Sequence, residues 1–186
     1  MFIASEKRKT NIAEYLLYMW QIEDIIRANG LDMERIKASV IDRFDLIGQQ
    51  RKELTEWYES LIDMMRREGV EKSGHLQLNK NVIIQLTDLH LALLRDPRFP
   101  EYAAEFYRIL PFVVELRSKS GDVPAGEIET CFNALYGVLM LRLQGKEISG
   151  DTGRAIGQIS HFIATLSRNF HLDEADKLFP HDDDDN

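Results

Sequence analysis

The sequence predicts an all-α fold: a single-domain multi-helix bundle of about seven helices. Apolar residues recur at spacings of three and four along most of the chain, which gathers them on one face of a helix. Capping residues open these runs and glycines close them. No stretch shows the strict alternation of a half-buried strand, and there is no hairpin signal or internal repeat.

The elements follow in order. Asn11-Ile12-Ala13-Glu14 reads as a capping box, and the first helix runs from it to about Asn29, with Gly30 as its stop. Asp32 caps the second, whose inward positions are Met33, Ile36, Val40, Phe44 and Ile47, with Gly48 a break or a bend. The third turns Leu54, Trp57, Tyr58, Leu61 and Met65 inward and ends at Gly69. The fourth spans Leu76 to Arg95, with Val82, Leu86, Leu89 and Leu93 on one stripe. The fifth follows Pro100 and is expected to kink at Pro111, whose ring donates no hydrogen bond. A loop over Ser118 to Gly126 precedes the sixth, Ala125 to Gln144. The seventh starts at Ser149 to Thr152 and ends near Asn169, before a short turn from Asp173 to Phe179.

Helices six and seven each carry a row of small residues. Gly126, Thr130, Asn133 and Gly137 form one; Gly153, Gly157, Ser160, Ala164 and Ser167 form the other. Glycine costs about 1 kcal/mol against alanine inside a helix. The rows therefore predict a compensating close approach, either of helices six and seven to each other or across a homodimer seam.

A chain of 186 residues is long enough to bury one sizeable core. The domain is expected over 1–180, with 181–186 an acidic, disordered tail. One cysteine, Cys131, precludes an internal disulfide and points to a reducing, cytoplasmic setting. The longest run without a charged residue, Ala155 to Ser167, has 13 residues, too few to span a membrane. A net charge of −8 disfavours nucleic acid, and the only dense basic run is Lys7-Arg8-Lys9.

Chemistry is sparse. Glu23 projects from the apolar face of the first helix and needs a partner if buried, with Arg27 the local candidate one turn on. His90 lies among Ile83, Leu86, Leu93 and Leu94 on the apolar side of the fourth helix. Glu23, Arg27 and His90 are thus candidate ligand-binding residues, with a core ion pair and a core histidine as the structural alternative. Arg154, His161 and Arg168, seven apart on helix seven, are a candidate face for an anion or an acidic partner, the Asp182–Asp185 tail included. A solvated face explains them equally well. Tyr15 faces the core, while Tyr18 and Trp20 lie towards opposite edges of that face, which suits an interface or pocket rim, with ordinary core packing as the alternative. No metal-ligand spacing, phosphate loop or nucleophile elbow is present, so no metal, cofactor or catalytic residue is expected.

The run Asn11-Ile12-Ala13-Glu14-Tyr15-Leu16-Leu17-Tyr18-Met19-Trp20-Gln21-Ile22-Glu23-Asp24 resembles an uncharacterised bacterial family of helical proteins classed as a domain of unknown function. The resemblance implies a bacterial, cytoplasmic helical domain and carries no activity. The functional expectation is a non-enzymatic interaction or regulatory protein that forms homo-oligomers. A small-molecule binder or enzyme with a pocket around Glu23, Arg27 and His90 is the alternative.

Overall fold

The computed structural model describes residues 1–119 and 125–179. Among these residues there are eight α-helices and no strand: α1 Phe2–Thr10, α2 Ile12–Ala28, α3 Met33–Ser39, α4 Gly48–Arg67, α5 Gln77–Arg95, α6 Pro100–Ser118, α7 Glu127–Leu143 and α8 Gly150–Glu174. A 3₁₀ turn, Ile41–Arg43, follows α3. The expected acidic tail lies outside the described residues, as does most of the loop before α7.

The chain falls into two units, residues 1–10 with 14–82 and residues 11–13 with 83–186. In the first unit, Leu16, Met19, Trp20, Ile22 and Ile26 of α2 are buried, as are Leu54, Tyr58, Leu61, Ile62 and Met65 of α4. In the second, α6, α7 and α8 pack on one another. There Tyr102 and Phe106 join Phe162 in an aromatic cluster, their ring centroids 5.3 and 5.7 Å from that of Phe162.

Four expectations are corrected. Residues 2–10, ahead of the first expected helix, form α1, which buries only Ala4 and so shows no apolar stripe in sequence. Its last turn holds Lys7, Arg8 and Lys9, where positive charge favours the helix dipole. The second expected helix ends at Ser39 rather than near Ile47. Val40 leaves the helical region at φ −125°, and Ile41 takes the buried place, leaving Phe44 and Ile47 exposed. Adjacent β-branched residues at 40 and 41 weaken the helix there. The last helix runs on to Glu174, absorbing residues assigned to a turn.

The fourth correction concerns the small rows. A Cβ at Gly126, Gly137, Gly153 or Gly157 would meet nothing within 4 Å. The packing of α7 on α8 is therefore modest and is not set by these glycines. Larger buried side chains, such as Ile128 and Phe132 on α7 and Ile159 and Ile163 on α8, supply the core.

Candidate functional site

Glu23 is 1% exposed, and its carboxylate finds its partners at the start of α5. Oε1 accepts from the Leu76 backbone N–H at 2.9 Å and from Asn79 Nδ2 at 2.7 Å. Oε2 lies 2.6 Å from His75 Nδ1, which donates when it carries the ring proton. The His75 ring stacks on Trp20 at 4.1 Å between centroids and 13° between planes. The Leu76 N–H belongs to the unpaired donors of a helix N-terminus, where a carboxylate is also favoured by the dipole.

Arg27 is not the partner of Glu23. Its Nη1 donates to Asp24 at 2.9 Å, and Nη2 donates to the carbonyls of Val70 (3.1 Å) and Gly74. Glu23 and Arg27 thus fasten the segment 70–76 to α2 from two ends. The core pairing foreseen for Glu23 holds, with different residues. Trp20, placed at the edge of its helix by sequence, is 2% exposed.

His90 is also 1% exposed. Its Nδ1 lies 2.7 Å from Tyr102 Oη, and its ring meets Phe106 and Phe162 edge-on at 4.5 and 5.8 Å. Burial lowers its pKa to about 4, so the ring is neutral near pH 7. Glu23 and His90 fall in different units, and each is hydrogen-bonded within its own.

The cationic line on α8 opens onto a groove against α6. Arg154, Gly157, Gln158 and His161 line a cavity of about 290 Å³ with Glu105, Arg108 and Ile109. An adjoining cavity of about 440 Å³ is lined by Arg168, Thr165 and Asn169 of α8, by Glu101, Tyr102 and Glu105 of α6, and by Arg98 and Phe99. The two share Glu105 and His161. Arg154 pairs with Asp151, and Arg98 pairs with Asp96 at 2.7 Å. Among the described residues, Arg108 and Arg168 have no carboxylate partner. His161 Nε2 stands 3.4 Å from Glu105 Oε1, and Glu105 Oε2 is a buried acceptor without a donor.

A family of sequences described as "Domain of unknown function (DUF4924)" matches residues 1–177. The chain belongs to this family. No curated protein and no solved structure matches it. The DUF4924 match covers every residue of the groove and of the Glu23 cluster, and the family's description assigns no activity to any of them.

All three residues of the cationic line reach one groove, as sequence spacing alone implies for a single helix face. Not foreseen from the sequence are Glu105 and Arg108 on α6, Arg98 in the turn before it, and His75 and Asn79, which answer Glu23 from more than 50 residues away. No local signal marks such partners. The one available clue was Glu23 itself, since a carboxylate on an apolar face requires donors from elsewhere. Cys131 is fully buried, and burial pushes its thiol up to about 12, away from nucleophilic character.

Proposed function

We propose that this protein is a non-enzymatic interaction module whose α6–α8 groove receives an acidic peptide segment. The observation that carries the reading is the convergence of Arg98, Arg108, Arg154, Arg168 and His161 on one groove. Arg154 and Arg168 are 14 residues apart on one helix, about 21 Å along its axis. A compact anion cannot engage both, whereas about six residues of extended peptide span that length. Glu105, in the middle of the groove, would repel a compact, doubly charged phosphate. The pair Arg154–Asp151 is exposed and so contributes little, which lets an incoming carboxylate compete for that guanidinium.

The test is titration of a fluorescent hexaglutamate peptide at low salt into the chain with Asp182–Asp185 all changed to Asn, which removes competition from its own acids. Binding is expected to weaken at least tenfold in R108A/R154A/R168A and to fall with added salt. Absence of binding, or binding indifferent to the three arginines, overturns the reading.

Self-association is a second element of this proposal. Gly157, Ser160 and Ala164 are exposed along α8, and Leu143 at the end of α7 is 70% exposed, which suits a seam with a second copy. A clean monomer by light scattering across the micromolar range would remove it. The bacterial, cytoplasmic setting belongs to the same proposal; among the described residues no helix is long and apolar enough to cross a membrane. A ligand pocket around Glu23, Arg27 and His90 is the weaker reading, because the Glu23 oxygens already have protein donors.

A further inference from the structure

α6 carries an apolar residue row on two opposite sides, and only one of them is buried. Tyr102, Phe106, Ile109 and Val113 make the inner face. Ala104, Tyr107, Pro111 and Val114 recur every three or four residues on the other side, in a line about 15 Å long. All four are exposed, Tyr107 by 63% and Val114 by 55%. A surface helix with one buried stripe ordinarily turns charged and polar residues to water on its far side. The spacing here is instead that of a seam along which two helices interlock. Arg108 and Glu115, both exposed and seven residues apart, stand together on one flank of the line. Arg108 has no carboxylate partner among the described residues. Glu115 is held only by Lys119, at 2.6 Å, in an exposed pair that contributes little.

We infer that the outer face of α6 is a two-fold seam with α6 of a second copy, the two helices running antiparallel past each other near Pro111. This rests on the self-association proposed above and gives it a contact distinct from the small residues of α8. The order of the flanking charges selects the occupant. Antiparallel alignment about a point close to Pro111 sets Arg108 against Glu115 of the second copy, and Glu115 against Arg108 of the second copy. Parallel alignment sets like charges opposite each other and is disfavoured. The face is thus complementary to itself, which a two-fold contact requires. The same arrangement takes Tyr107 and Val114 of each copy out of water, and an aromatic ring is the side chain that contributes most at such contacts. Four apolar side chains per copy make a small interface, so the association is weak and reversible.

Sedimentation velocity on the full chain, from about 5 to about 500 μM, tests this over the range of a weak contact. Mass is read rather than peptide binding, because Arg108 also lines the groove. The wild-type chain is expected to move towards a dimer, and Y107E/V114E to weaken association by about tenfold or more. R108E and E115R alone are each expected to weaken it by about threefold or more. The doubly reversed chain R108E/E115R is expected to regain the wild-type constant within about twofold. The four positions are exposed, and a melting curve at low concentration checks that each variant folds. Should Y107E/V114E not fold, the charge reversal decides alone. A wild-type chain that stays monomeric overturns this inference and the self-association reading together. Association that survives in folded Y107E/V114E overturns the α6 seam and leaves the α8 surface standing. Failure of R108E/E115R to restore association overturns the antiparallel seam.

Discussion

Glu23 Oε1 and Asn79 Nδ2 lie 2.7 Å apart, joining residues 56 positions apart in the chain through a carboxylate that solvent does not reach. The bond is one of three that Glu23 accepts. Its removal as Glu23→Ala strands the Leu76 N–H and the Asn79 amide in a buried site. A loss of about 3 kcal/mol is expected, read as a lower urea midpoint. Arg27→Ala is expected to cost less, because its guanidinium is nearer solvent than the Glu23 carboxylate. Equal midpoints for wild type and Glu23→Ala would contradict this account.

His90 makes stability depend on pH. Its folded pKa is lowered by burial, from 6.5 to about 4. The unfolded chain therefore takes up the proton first as pH falls. The contribution is fully present above about 6.5, is lost progressively between there and about 4, and is constant below. The loss is expected to reach about 3 kcal/mol. Unfolding midpoints at pH 7 and pH 4.5 should differ less in His90→Gln than in wild type, and an identical difference would refute the assignment.

Cys131 should resist thiol reagents. With the thiol pushed up to about 12 and fully buried, labelling by an aromatic disulfide at pH 8 is expected only in denaturant. Stoichiometric labelling of the native chain within minutes would show that the site opens.

Gly157→Ala should stabilise the monomer by about 1 kcal/mol, since alanine is the better helix former and the added Cβ meets nothing. Melting temperature measured at low protein concentration checks this. A stability gain combined with weakened self-association would locate a seam at Gly157; a loss of monomer stability would reinstate close packing there.

Local information fixed the helices wherever the buried face was regular. The stripe Val82, Leu86, Leu89 and Leu93 was legible because several turns of helix repeat one pattern, and all four side chains are buried. α1 was not legible, because a nine-residue helix burying only Ala4 leaves no periodic trace. Phe44 and Ile47 misled for the opposite reason. They continue the period of α3 in sequence, but the chain turns at Val40 and another residue fills the core.

By itself the sequence determined that this chain is helical, that it offers no familiar catalytic constellation, and that Arg154, His161 and Arg168 share a face. It also determined that Glu23 must be answered. Tertiary structure alone decided that the answer comes from His75, Leu76 and Asn79, that Arg27 turns to backbone carbonyls, and that α6 completes the groove. The reason is physical. Periodicity and capping arise from interactions within a few residues, whereas the partners of a buried charge and the walls of a groove depend on which helices meet.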